Sequence, residues 1–169
     1  LSVGQAGCRI GETVWHELCS EHGIDPLHGG APTGATGRWE AFFSSVGQGE
    51  KRRYVPRGVF ADLDPRGISE VKKRNDDLLN PANFISANEG SGNNFGVARY
   101  GTGTELVGRV LEAIDREFSK GGQPAGVILI HSLAGGTGSG LGALLLEKLK
   151  EKREGMPLVC FSVLPGGGL

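Results

Sequence analysis

The sequence predicts an α/β protein, a parallel sheet with helices on both faces, and three observations predict it. Short apolar runs, of which Val127-Ile-Leu-Ile130 is the cleanest, alternate along the chain with segments whose apolar residues recur at helical spacing. The runs are apolar at consecutive positions, as strands covered on both sides are. Glycine-rich turns stand between a run and the helix after it, at the carboxyl ends of the strands, where such sheets bind ligands. The pattern is Rossmann-like.

Taken in order, Leu1-Ser-Val3 reads as the stub of a buried strand, and a GQAG turn leads into a helix from Gly7 to Glu21, with Ile10, Val14, Trp15 and Leu18 as its apolar face. Gly23 and Pro26 close that helix. From His28 to Arg53 the chain is rich in Gly, Thr, Ser and Pro, and it reads as a long surface loop tacked down by Trp39, Phe42 and Phe43. Gly58-Val-Phe-Ala-Asp62 is a short strand that delivers Asp62 and Asp64 at its end, with Pro65 next. A short helix spans Gly67 to Arg74, and Asn80 to Asn94 is turn-rich. Thr102 to Lys120 is the clearest amphipathic helix, with Leu106, Val110, Ile114 and Phe118 in four-residue steps beside Val107 and Leu111. Val127 to Ile130 is a strand, GGTGSG (Gly135 to Gly140) a turn, Leu141 to Lys152 a helix whose Leu144, Leu145 and Leu149 belong to the core, and Leu158 to Leu164 a strand.

At 169 residues the chain can bury one sizeable core, so residues 1–169 read as one domain. Its 18 basic and 19 acidic residues leave a net charge of -1, with no basic block to grip a nucleic-acid backbone, so nucleic acid is not an expected partner. No run has the length of a membrane span and no signal peptide opens the chain, which predicts a soluble intracellular protein without a membrane partner. Cys8, Cys19 and Cys160 lack metal-ligand spacing and sit in apolar patterns, so they read as buried reduced thiols. The start without Met, and the end at Pro165-Gly-Gly-Gly-Leu169 straight after a strand, mark a piece of something longer.

Glycine in a strand-to-helix turn admits positive φ and lets backbone amides approach an anion at the helix dipole. GGTGSG suits a phosphate, with Ser132, Thr137 and Ser139 as hydroxyl donors, although it lacks the lysine of a GxxxxGK[ST] loop. Alone it could equally be a turn that lets helix and strand pack closely. Likewise Gly90-Ser-Gly-Asn-Asn94 alone reads as a type I or II turn, and Asp62 and Asp64 alone as solvated turn residues or, for Asp64, a helix cap. Together with Gly4-Gln-Ala-Gly7 and the Asp62/Asp64 pair, which could serve a phosphate-bound magnesium, they point to one phosphate site. His131 next to Ser132 makes no serine hydrolase, because strand neighbours face opposite ways and no GxSxG elbow is present. His16, His22 and His28 are spaced for surface or capping roles.

Val3-Gly-Gln-Ala-Gly-Cys-Arg-Ile-Gly11 with Trp15, Glu21-His-Gly-Ile-Asp25, Tyr54-Val-Pro-Arg57, Asp62-Leu-Asp-Pro65, Gly92-Asn-Asn94 and Ala134-Gly-Gly-Thr-Gly-Ser-Gly140 follow the order seen in tubulins. Over essentially its whole length the chain resembles the N-terminal part of that family's GTPase domain, shared with FtsZ and incomplete here at its C-terminal end. Asn80 to Ile85 and Gly142 to Lys152 lean toward the bacterial tubulins. The resemblance implies a cytoskeletal protein of the cytoplasm that binds GTP or GDP with Mg2+, polymerises head-to-tail with other tubulin subunits and hydrolyses GTP on assembly. It implies that Gly4, Gln5 and Ala6 lie on the phosphate and magnesium side, and that Ser132, Gly135, Gly136, Thr137 and Gly138 cradle the phosphates. Gly92 and Asn93 would cover the γ-phosphate, and Asp62 and Asp64 would lie near the magnesium. It also implies that the ribose and base contacts, and the carboxylate that activates water on a neighbouring subunit, lie beyond residue 169, so that this piece alone is inactive. The chain departs from the family in carrying Asp64 for the usual glutamate, Arg9 for glutamine, and Ala134 for the first glycine of GGGTGSG.

Two rival functions remain at the level of sequence. One is a non-catalytic nucleotide-sensing assembly module. The other is a dinucleotide-dependent oxidoreductase, disfavoured because no acidic residue is suitably placed after GQAGCRIG.

Overall fold

The structure, a computed structural model, describes residues 1–25, 39–121 and 125–166. In chain order its elements are β1 (Ser2–Val3), α1 (Gly4–Glu21), β2 (Phe43–Val46), β3 (Arg53–Pro56), β4 (Phe60–Asp62), α2 (Pro65–Arg74), β5 (Phe84–Ser86), α3 (Phe95–Tyr100), α4 (Thr102–Ser119), β6 (Val127–Ser132), α5 (Gly142–Lys152) and β7 (Leu158–Val163). Five strands form one parallel sheet in the order β5-β4-β1-β6-β7, the predicted α/β architecture. The chain runs outward from β1 through β4 to β5, then returns to the other side of β1 for β6 and β7. The order therefore reverses between β1 and β6, and a crevice opens there beyond the strand ends.

Each sheet face carries its own core. Val3, Ala61, Leu129, Leu106, Val110 and Leu145 belong to one cluster, whereas Cys8, Phe43, Phe60, Ile68 and Val71 belong to the other. Phe60 and Ala61 are strand neighbours that serve opposite clusters, as the two-residue period of a strand requires. α1 lies against the sheet through glycine: a Cβ on Gly7 would stand 2.4 Å from the Ile130 carbonyl oxygen, and one on Gly11 would stand 2.0 Å from Ser2 Oγ.

Several expectations are corrected. α1 begins at Gly4, with no separate GQAG turn, because Gly4 at φ +74° lets the chain pass straight from extended Val3 into helix. Ile10 and Val14 are exposed, at 39% and 38%, because the small residues of α1 take the sheet-facing side. The expected loop from His28 to Arg53 contains β2, which pairs antiparallel with β3 at and beyond the loop's end, although its aromatic anchors are real: Phe43 is buried, and Trp39 meets Tyr54 edge-on at 4.8 Å. The part of that loop from 28 to 38, the Pro26 helix stop, and the glycines after Gly166 lie outside the described residues. The turn-rich stretch from Asn80 to Asn94 contains β5, and α3 follows it, capped where Asn94 Oδ1 accepts from the Val97 amide at 3.2 Å. Cys8 and Cys19 are buried, but Cys160 is exposed, because β7 lies at the edge of the described sheet.

Candidate functional site

A cavity of about 1040 Å³ lies at the carboxyl ends of β1, β4 and β6, over the point where the strand order reverses. Gly4, Gln5, Ala6, Asp62, Asp64, Gly92, Asn93, Ser132, Gly135, Gly136, Thr137 and Gly138 all line it and are brought to one place, whereas Ser139, also named from sequence as a hydroxyl donor, does not line it.

Two helical starts face the cavity without a side-chain cap. α1 follows Val3, which caps nothing, and has no acidic residue in its first turn. The GGTGSG segment is itself the start of a helix: Thr137–Leu141 form a π-helical turn that runs into α5, again with no side-chain cap. Helical geometry leaves the first-turn amides of both without an internal acceptor, and their dipoles add positive potential at the same spot. The two starts nearly touch, since a Cβ on Gly4 would stand 2.8 Å from the Gly138 nitrogen. Beside them, Gly92 and Asn93 adopt left-handed φ of 57° and 59°, and a Cβ on Gly135 would lie 3.7 Å from Asn93 Oδ1.

The hydroxyls are less free than expected. Ser132 Oγ accepts from the Ala134 amide at 3.1 Å and donates to the Val163 carbonyl at 3.4 Å. Ser139 Oγ donates to the Gly135 carbonyl at 2.5 Å. Both brace the loop, and Thr137 bonds to Asp62.

Asp62 is buried, and burial pushes its carboxyl above the ordinary carboxylate range, against the bonds it accepts from the Asp64 amide and Thr137. Asp64 is open to solvent and held below that range by Arg66, whose Nη2 and Nε reach its two oxygens at 2.8 and 3.1 Å. Asp64 also accepts from the Arg66 amide at 2.9 Å as the N-cap of α2, the capping role weighed for it above. Gly67 leaves room beside the buried carboxylate, where a Cβ would stand 3.3 Å from Asp62 Oδ2.

Arg66, Gly67, Glu70, Asn88 and Ser91 also line the cavity and were not picked out as site residues. A signal existed for two of them, because Arg66 and Glu70 stand four apart on the helix that Asp64 starts and so share a face. Ser91 lies inside the Gly90–Asn94 cluster that the sequence marks, and Asn88 carried no signal. The charged lining is thus Asp62, Asp64 and Glu70 against Arg66. Among the described residues no three metal-ligating side chains converge closely enough to hold an ion unaided.

The GTPase-domain model of the Tubulin/FtsZ family matches residues 1–168. Similar proteins include the tubulin beta-1 chain of Geotrichum candidum, 37% identical over 98% of this chain and 37% of that protein. The tubulin alpha-2 chain of Schizosaccharomyces pombe is 39% identical over 98% and 37%. The tubulin alpha-1 chain of Saccharomyces cerevisiae is 39% identical over 98% and 38%. The chain therefore spans a little over a third of the length of these relatives.

Proposed function

We propose, from the premise that this chain belongs to the Tubulin/FtsZ family through its GTPase domain, that it is the nucleotide-binding part of a GTP-dependent, filament-forming cytoskeletal protein. The observation that carries this reading is the pair of uncapped helical starts, at Gly4 and at Thr137, facing one cavity. Unpaired amides converging on a crevice call for an anion, and a polyphosphate is long enough to span both.

The residues present fit the nucleotide and its metal. The Gly4 and Gly135–Gly138 backbones approach the cavity without side chains in the way, with Gln5, Ala6, Gly92, Asn93 and Ser132 around them. Three carboxylates against one guanidinium make a lining that repels a polyanion arriving alone, and a divalent cation removes that conflict. Magnesium is commonly held by one or two carboxylates together with phosphate oxygens and waters, which suits a site where the described residues form no protein cage. Asp62 would approach it, with Asp64 nearby once released from Arg66. When bound, GTP supplies the phosphoryl group and Mg2+ neutralises its charge. The chain's own residues orient the phosphates through loop amides, while Ser132 and Ser139 hold the loop rigid. Head-to-tail polymerisation with other tubulin subunits brings the carboxylate that activates water from the neighbour, so hydrolysis follows assembly. The cytoskeleton of the cytoplasm is the corresponding location, and no described helix is long and apolar enough to cross a membrane.

The test is sedimentation of the complete protein, which should pellet as filaments with GTP and Mg2+ but not with GDP. Complete failure to bind GTP overturns the reading, as does preferential binding of NAD. One observation favours a non-catalytic assembly module instead: both Asp64 oxygens are occupied by Arg66. In that case Asp62→Ala and Asp64→Ala leave assembly unchanged and there is no turnover to lose.

A further inference from the structure

Among the described residues His131 is the only buried histidine, at 3% exposure, and its side chain does not line the cavity. It stands one residue before the end of β6, directly beneath the glycine-rich turn. Its Nδ1 lies 2.8 Å from the Gly138 carbonyl oxygen, and its Nε2 lies 2.9 Å from Ser162 Oγ. A carbonyl can only accept, so Nδ1 carries the proton; Nε2 then accepts from the serine hydroxyl. Ser162 is the register partner of His131 on β7, so the neighbouring strand reinforces this tautomer. The ring also presses on the start of α5, where a Cβ on Gly142 would stand 2.8 Å from Nδ1.

Burying an imidazole is unfavourable unless both nitrogens are satisfied, and an aliphatic side chain would fill the space without that demand. What the imidazole adds is a directed bond to Gly138, the residue whose nitrogen faces Gly4 across the site. A turn with glycines at 135, 136, 138 and 140 loses much backbone entropy on ordering, and any disorder left in it must be removed when an anion binds.

We propose that His131 is a positioning residue: its Nδ1–H holds the Gly138 carbonyl and presets the GGTGSG amides for phosphate, with Ser162 fixing the tautomer, an inference that rests on the phosphate reading of the cavity. Asn and Gln variants separate its two bonds. The amide nitrogen of Asn can sit where Nδ1 is, whereas Gln reaches toward Nε2 and Ser162 and leaves Gly138 without its donor.

The experiment measures the affinity of the complete protein for a fluorescent GTP analogue with Mg2+, and hydrogen exchange across residues 135–141 without nucleotide. His131→Gln should weaken binding about tenfold, the scale of one lost hydrogen bond, and speed exchange in that segment. His131→Asn should stay within about threefold of wild type in affinity and keep the segment protected. Both variants lose the ring's packing, so a drop in Tm common to both does not bear on positioning. Equal affinity and equal exchange in the two variants, at any level, would overturn the proposal. If the wild type binds no GTP analogue, the phosphate reading fails, and the exchange comparison alone decides whether His131 orders the turn.

Discussion

Asp62 concentrates the conflict between stability and binding in one side chain. Its carboxyl is raised above the ordinary value by burial, so the folded, nucleotide-free protein holds that proton more tightly than the unfolded chain does. Stability from this group is fully present below the unfolded value and is lost as pH rises through the folded one. Asp62→Asn should therefore stabilise the nucleotide-free protein at neutral pH by about 1 kcal/mol, or about 3 °C in Tm, with the gain vanishing below the ordinary carboxylate range of about 4. Thermal melts across pH check the sign. The same variant should lose most of the Mg2+-dependent part of nucleotide affinity, read by titration with and without chelator. The thiols divide by burial in a way that ordinary labelling can read. Burial pushes the Cys8 thiol up, with the Asp62 carboxylate adding to it, and pushes Cys19 up to about 12. A thiol reagent should react quickly with exposed Cys160 in the folded protein, and with Cys8 and Cys19 only after denaturation.

At the level of elements, α1 shows what close packing demands. Gly7→Ala would drive a methyl to 2.4 Å from a backbone carbonyl of β6, and a strand in mid-sheet cannot move aside. A loss of about 1–3 kcal/mol in urea denaturation is expected. Gly108 on the exposed side of α4 has nothing within 4 Å of its missing Cβ, so Gly108→Ala should instead add about 0.5–1 kcal/mol. This contrast also explains what sequence could and could not reveal. Elements whose apolar residues form a helical stripe, such as α4, or an unbroken run, such as β6, were legible, whereas α1 offered a misleading period because its true contact face is made of glycine and cysteine. β5 is only Phe84–Ser86, too short for a period, and the hairpin strands Phe43–Val46 and Arg53–Pro56 are held by pairing more than by alternation. The cavity was legible for a separate reason: glycine loops and terminal carboxylates mark strand ends, and a parallel sheet gathers its strand ends on one side. Asn88 escaped because only the folded path of its loop carries it to the cavity.

Across the whole molecule the apolar surface is unevenly covered. Among the described residues β7 pairs with β6 on one side only, and Val159, Phe161 and Val163 on it are exposed at 49%, 59% and 37%. An uncharged apolar edge is a template for another strand. A protein of residues 1–169 should therefore self-associate on concentration, and Phe161→Lys should suppress the light scattering while leaving the circular dichroism spectrum unchanged.

The near-contact of Gly4 with the Gly138 nitrogen bears on the order of events during synthesis. One arm of the cavity is made well before the other, and β1 acquires its β6 partner only after all the elements between them exist. In a nascent chain the β1 segment therefore waits with an unfinished crevice, and the cavity cannot offer both of its arms to a ligand until β6 and the turn after it have emerged. Because closing so long a loop is entropically unfavourable, a polyphosphate gripping both arms would act as a late clasp on the nascent sheet.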